Sequence, residues 1–429
     1  MFARATTGPV PPPGCRRPVA AAGAAAPFPP PVPPHRPRPR GHRRLAGWQA
    51  AGVAILLVLA GVALLAWVWL ALARGMFWRT DVRLPDGAAP QHWPSVAVVV
   101  PARDEAAILP GTLPTLAGQE YPGPVRVILA DDNSTDGTRA LVTERWPTVT
   151  IVDPGEPPTG WAGKLWALRA GVAEAGPVDY LLFTDADIAH RPDSLAALVR
   201  AAERHDLDLV SQMARLRVAS AWERVVVPAF VYFFALLYPF RWSNRPGTRT
   251  AAAAGGCGLV RRAALERAGG LDGIRGAVID DVALARLLKR AGGRTFLGLA
   301  DRVDSIRPYP HLDTLWRMVS RSAYSQLRYN PVVLAGTVLG LALVFLVPPV
   351  STVVGALTGD VPVLAAGAAG WLLMAATYAP MLRYYRQPWP AALALPFTAT
   401  LYLAMTVDSA VQHYRGRGGA WKGRTYSAG

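Results

Sequence analysis

The chain is short of the residues that staple or metallate small proteins. Only two cysteines occur in 429 residues, Cys15 and Cys257, far apart and in unlike contexts. That excludes a disulfide framework and a thiolate metal site, and it fits a reducing compartment. Seven histidines are scattered without paired ligand spacing, so no zinc site is suggested. The first 44 residues lack acids and lysine altogether while holding 13 prolines and 8 arginines. Such a tail cannot bury a core and is expected to be disordered. Charge is missing again from Leu45 to Ala73, a run longer than the ~20 residues a bilayer core demands. It is also too long for a signal-peptide apolar region and has no convincing cleavage site, which predicts a retained anchor.

What is present completes this division. Hydrophobic residues make up 52% of the chain and the mean hydropathy is +0.21, so part of it is expected to live in lipid. Of the net charge of +16, the first 44 residues supply +8, and Arg415, Arg417, Lys422 and Arg424 supply +4, leaving +4 for everything between. Basic ends on a near-neutral body suit anionic lipid headgroups better than nucleic acid. Pro331 to Gly359 and Val361 to Leu382 are uncharged, and Trp389 to Val407 is a fourth apolar stretch interrupted by Pro390 and Pro396. That fourth stretch reads as a span or as a re-entrant element. The expected organisation is a tail at 1–44, an anchor at 45–73, a catalytic domain at 74–310, an interfacial helix at 311–330, a membrane region at 331–412 and a basic tail at 413–429.

Within the middle, short apolar runs alternate with helical patterns: "SVAVVVP", "VRVILADD", "VTIVD", "DYLLFTDAD" and "LDLVSQ". This alternation predicts an α/β layer fold with a mostly parallel sheet, in which ligands gather beyond the carboxyl ends of the strands. Polar clusters fall at those ends: "ARDE" at 102–105, "DDNSTDGT" at 131–138, and "TDAD" with Asp185 and Asp187. An Asp after a strand also serves as a turn former or helix cap, so each cluster alone leaves two readings. Two acids one residue apart, with no basic neighbour in sequence, ask what neutralises them. "GWAGKLWALRAG" puts Lys164 at a helix opening, where it reads either as a phosphate contact or as a surface lysine.

Taken in order, "VVVPARDEAAIL", "ILADDNSTDGT", "GKLWALRAG", "LLFTDADI", "GGCGLVRRAALERAGGLDG" and "IDDVALARLLKRAGG" resemble the GT-A glycosyltransferases of family two. The "GWAGKLWAL" variant and the apolar ends look most like the hopene-associated members. The resemblance implies a GT-A nucleotide-diphospho-sugar transferase fold flanked by transmembrane helices. It also implies a membrane-bound inverting enzyme that moves a sugar from a nucleotide donor, expected to be UDP-linked, to a lipid of hopanoid type. Pro101, Arg103, Glu105, Asp131 and Asp132 would then line the nucleoside pocket. Asp187 would ligate a divalent cation, Mg2+ or Mn2+, and Asp185 would contact the ribose or a metal water. Lys164 would face the diphosphate, and Asp281, the second acid of the pair with Asp280, would be the general base. Gly255, Gly256, Cys257, Gln326 and Arg328 would lie on the acceptor side. The same acids at Asp280 and Asp281 also read as helix capping.

Processive members carry a (Q/R)-x-x-R-W signature, here reduced to "SQLRY", Ser325 to Tyr329, which argues against the rival reading as a short polysaccharide synthase. A non-catalytic lipid-binding scaffold, the other rival, needs none of Asp132, Asp185, Asp187 and Asp281. Nucleotide sugars place the catalytic domain on the cytoplasmic face of the bacterial inner membrane. One crossing by the anchor would then export the arginine-rich tail, against the positive-inside tendency. Val225 to Phe240 is a sixteen-residue apolar run that reads either as a core helix or, with His311 to Tyr329, as an acceptor entrance at the bilayer surface.

Overall fold

The computed structural model describes residues 40–416, 420–421 and 424–425. The expectations for the proline-rich tail, Cys15, Arg417 and Lys422 lie outside the described residues. Ala51–Gly429 forms one compact unit; the stretch up to Ala50 forms another, described only by its helical backbone from Arg40.

An eight-stranded mixed sheet organises the larger unit, in the order β3-β2-β1-β4-β7-β6-β8-β5. Its strands are β1 (Val96–Ala102), β2 (Val125–Asp131), β3 (Thr150–Val152), β4 (Tyr180–Thr184), β5 (Ile188–His190), β6 (Leu209–Leu216), β7 (Cys257–Arg261) and β8 (Thr295–Ser305). The five apolar runs read from sequence are β1 to β4 and β6. β1, "VAVVVPA", is buried along its whole length and pairs in parallel with β2 and β4, as a strand without polar alternation does at the centre of a sheet covered on both faces. β7 runs antiparallel between β4 and β6.

The helices are α1 (Arg40–Ala73), α2 (Leu109–Ala117), α3 (Thr138–Arg145), α4 (Gly163–Glu174), α5 (Ser194–His205), α6 (Ala221–Leu237), α7 (Phe240–Ser243), α8 (Arg262–Arg267), α9 (Asp280–Arg290), α10 (Leu312–Gln326), α11 (Pro331–Leu341), α12 (Val347–Thr358), α13 (Val361–Tyr384) and α14 (Leu395–Tyr414). Among the described residues, four helical stretches are long and apolar enough to cross a membrane: Ala51–Ala73, Pro331–Thr358, Val361–Tyr384 and Trp389–Tyr414. Between α11 and α12 the helix widens into a π-turn at Ala342–Leu346. A π-turn withdraws a carbonyl from the α-helical ladder, and here the Val344 carbonyl accepts a hydrogen bond from the Trp67 indole at 2.7 Å. The same indole meets Phe345 edge-on at 5.3 Å.

Two amphipathic elements end up more covered than a surface role requires. α6 starts with a reciprocal capping box between Ser220 and Glu223 and then buries Val226, Val227, Val231 and Tyr232 completely. Phe233 packs its ring on Tyr402 at 4.9 Å and on Phe345 at 5.6 Å; Phe234 packs on Tyr238 at 5.3 Å. The run Val225 to Phe240 is therefore a core helix and not an open entrance, because α13 and α14 close over it. α10 likewise spends Leu315 and Val319 on the core, and its Trp316 indole donates to Asp408 of α14 at 2.9 Å. Phe233→Ser is accordingly expected to cost about 2–4 kcal/mol of stability. Chemical denaturation of the full chain checks this, and transfer to soluble and membrane-embedded acceptors should fall together.

Candidate active site

The first half of the site is two interlocked loops. β1 and β2 end side by side, with Ala102 opposite Asp131, so the loops that follow start from adjacent strands. Three successive backbone N–H groups, of Asp104, Glu105 and Ala106, donate to Ser134 Oγ at 3.0 Å, Thr138 Oγ1 at 2.9 Å and Asp136 Oδ2 at 2.9 Å. In return, the Thr135 N–H donates to Asp104 Oδ1 at 2.8 Å. The turn-forming residues of "DDNSTDGT" thus hold the neighbouring loop in place. Burial pushes the Asp136 carboxyl up, but hydrogen bonds from Thr138 and Ala106 outweigh it and hold the group below its ordinary range.

Asp131 and Asp132 are almost fully buried, and each meets a cation. Arg139 Nε lies 3.1 Å from Asp131, and Arg103 Nη1 lies 3.3 Å from Asp132. Ser134 Oγ also donates to Asp131. Acids taken out of water in this way are paired and hydrogen-bonded, as their burial demands.

Beyond β4, the two acids of "TDAD" find their counter-charges far away in sequence. Lys164, second residue of α4, places Nζ 2.8 Å from Asp185 and 3.0 Å from Asp280. Burial alone would lower the lysine's pKa, but Asp185 and Asp280 together raise it, so it stays charged. Burial also raises Asp185, assisted by Asp187 and opposed by Lys164. Asp187 accepts from Ser305 Oγ at 2.9 Å and from Arg307 Nε at 3.2 Å, while Arg307 Nη2 donates to Glu105 at 2.7 Å. Arg307 thus joins the "ARDE" loop to the "TDAD" loop. No motif in the sequence marks it, for it simply follows β8.

Asp281 opens α9. Its carboxylate accepts the N–H of Gly255 at 2.8 Å and that of Val282 at 2.7 Å. Burial first, then the neighbouring Asp280, push its pKa up to about 7, against the opposing pull of Lys164 and the two N–H donors. That value suits a proton acceptor working near neutrality. Gly255 packs closely on both groups: a Cβ there would stand 3.2 Å from Lys164 Nζ, a tight contact, and 3.5 Å from Asp281 Oδ2. Pro101, Lys164, Asp185, Gly255, Asp280 and Asp281 line one cleft.

The remaining expected residues are more dispersed. Gly256 accepts Thr184 Oγ1 through its carbonyl at 2.9 Å. Cys257 is the first residue of β7, wholly buried, and burial pushes its thiol up to about 12, so it faces the core and not the cleft. Gln326 donates to the Tyr238 hydroxyl, whose pKa is raised by burial and, in smaller part, by Asp281. Arg328 and Tyr329 both adopt a φ of 55° in the turn between α10 and α11.

Because Lys164 holds the Asp281 pKa down, Lys164→Gln is expected to move the acid limb of the pH–rate profile upward from about 7, and Lys164→Arg is expected to leave it in place. Profiles of kcat/KM against pH for the three proteins make the comparison.

Among the described residues no group of three or more His, Cys, Asp and Glu could by itself hold a metal. Asp185 and Asp187 nevertheless fit a hard divalent ion, which is commonly bound by one or two carboxylates together with substrate phosphates.

A mixed α/β sheet with paired acids at the carboxyl ends of β1, β2 and β4 is the GT-A arrangement of nucleotide-diphospho-sugar transferases. It aligns with the mannosyltransferase PcManGT of Pyrobaculum calidifontis at a TM-score of 0.50 and 22% identity, over 85% of this chain and 98% of that one. Residues 97–269 match the family described as Glycosyl transferase family 2. Among curated proteins it is similar to the N-acetylglucosaminyl-diphospho-decaprenol L-rhamnosyltransferase of Mycobacterium tuberculosis, 28% identical over 197 residues, or 39% of this chain and 62% of the relative. It is similar also to the 4,4'-diaponeurosporenoate glycosyltransferase of Staphylococcus haemolyticus, 32% identical over 111 residues, or 26% of this chain and 29% of the relative. The chain thus spans less than two thirds of either.

Proposed function

We propose that this chain is a membrane-bound, inverting glycosyltransferase that moves a sugar from a UDP-linked donor to a lipid acceptor of the hopanoid type. The observation that carries the reading is the convergence on Lys164, which lies within 3.0 Å of both Asp185 and Asp280, the acid next to Asp281. Asp132 and Arg103 bind the nucleoside, and the Arg307 link between Glu105 and Asp187 keeps that pocket in register with the diphosphate. Lys164 faces the departing diphosphate and offsets its charge without giving up a proton. Asp187, with Asp185, would hold Mg2+ or Mn2+, which would neutralise diphosphate charge when bound. The Asp281 carboxylate takes the proton of the acceptor hydroxyl, whose oxygen bonds to the anomeric carbon as the bond to the diphosphate breaks on the opposite face, and this single displacement gives inversion.

Both curated relatives are named for lipid substrates, and the mannosyltransferase was solved with GDP-Man and Mn2+; these support a lipid acceptor and a divalent ion. The "GWAGKLWAL" motif and the four apolar helices support the hopanoid type and a bacterial inner-membrane location with the catalytic domain facing the cytoplasm. The test is incubation of the purified protein with a panel of nucleotide sugars and a hopanoid-containing lipid extract, read by mass spectrometry. A hexose-sized gain on a polycyclic lipid is expected. Gain only on polyprenyl lipids would replace the acceptor, and no gain on any lipid would sink the reading.

A further inference from the structure

A second hollow shares Ser305 with the site just described and is lined by Arg215, Arg217, Arg386, Asp304 and Tyr385. Strand register fixes how near it lies. β6 places Arg215 opposite Asp304 and Leu216 opposite Ser305, and β5 places Ile188 opposite the same Ser305. Arg215 therefore starts about two strand spacings, roughly 10 Å, from Ala189, two residues past Asp187. Arg386 arrives from the other side, in a left-handed turn with a φ of 55° just past α13.

These guanidiniums are little used by the protein itself. Arg386 makes no ion pair or side-chain hydrogen bond among the described residues. Arg217 has one distant partner, Glu223 at 3.8 Å, whose carboxylate already accepts N–H groups from Ala219, Ser220 and Tyr309. Arg215 rests over the Tyr384 ring at 5.7 Å. Among the lining residues three guanidiniums stand against one carboxylate, Asp304, and with Glu223 beside Arg217 counted the balance is still +1. Like charges gathered this way are destabilising until an anion joins them, and guanidinium forks match phosphate oxygens. Three residues past Arg386, Trp389 is 72% exposed at the mouth of an apolar helix, the kind of residue that settles at headgroup level.

We propose that this hollow binds the phosphate of a lipid headgroup beside the candidate active site. Two lipids carry that chemistry: an acceptor with its own phosphate, or a neighbouring anionic phospholipid that seats the domain on the bilayer. The acceptor source rests on the glycosyltransferase reading and puts a phosphate-bearing lipid in place of the hopanoid acceptor; the phosphate site itself rests on neither. Full-length protein in detergent micelles is titrated, without donor, with farnesyl phosphate and with farnesol, and in mixed micelles with phosphatidylglycerol against phosphatidylcholine. An R215Q/R386Q variant and the single R386Q variant run in parallel, with melting temperature as the check on folding.

Farnesyl phosphate is expected to bind the parent at least about tenfold more tightly than the double variant, with farnesol indifferent to the change. Preference for phosphatidylglycerol without binding of farnesyl phosphate supports the site and assigns its phosphate to a neighbouring lipid. Equal affinity of parent and variants for both phosphate probes overturns the proposal, as does a parallel loss of UDP affinity, which would give the arginines to the donor. If transfer is never detected while phosphate discrimination persists, the function proposed above fails and this site stands.

Discussion

Asp281→Asn is expected to lower turnover by about 10²–10⁴-fold while leaving donor affinity within about twofold of the parent. The residue accepts the Gly255 N–H on one carboxylate oxygen and the Val282 N–H on the other and meets no cation directly, so Asn removes the proton acceptor and keeps one of these two hydrogen bonds. Its raised pKa adds a pH signature. Below about 7 the parent carboxyl is protonated and cannot accept a proton, so the parent rate rises as pH passes upward through about 7, and the residual rate of the variant should lack that limb. Stability runs in the opposite sense. A folded-state pKa raised above the unfolded value favours the protonated form, so the contribution of Asp281 is full below the unfolded pKa and is lost as pH climbs toward about 7. The melting point of the Asn variant should therefore fall short of the parent's by less at pH 8 than at pH 5. Thermal melts, donor titrations and single-turnover rates on the same samples decide the matter. A lower melting point with an intact maximal rate would reassign Asp281 to structure.

Asp187→Asn is expected to weaken metal-dependent donor binding by at least about a hundredfold and to bring transfer close to background, because it deletes an anionic ligand while preserving size. An Asn at this position keeps an oxygen for Ser305 and Arg307, which approach Asp187 at 2.9 and 3.2 Å, so the loop link through Glu105 survives. Donor titrations with and without Mn2+ separate the two roles. If the variant retains the metal dependence of the parent, chelation through Asp187 is wrong.

How far the sequence could be read follows from where each partner sits. β1 to β4 and β6 were legible because each is a short apolar run between turn signals. β7 was not, since "CGLVR" emerges from the glycine-rich "AAAAGGCG", and β8 was not, since "TFLGLADRVDS" mixes polar residues into a strand. The acids of the site could be picked out by their place at strand ends. Their counter-charges could not: Arg307 lies 120 residues from Asp187 and 202 from Glu105, and only the fold brings them together. The same limit explains α6 and α10. Their apolar faces look like surface-seeking stripes until α14, more than eighty residues beyond α10 at the Trp316 contact, covers them. Phe233, open in the sequence to a core or a bilayer-surface reading, and Trp316, on a helix that reads as interfacial, both pack against protein.

The hydrogen bond between Trp67 and the π-turn has a consequence for how the chain is made. Its two halves are 277 residues apart, so a ribosome releases the first helix long before the second exists. On the membrane-bound reading, that helix waits in the bilayer with its indole unmatched while the whole catalytic domain is synthesised and folds. Docking of the late hairpin onto the early helix is then an assembly event between preformed pieces, governed by encounter within the lipid plane and not by chain growth.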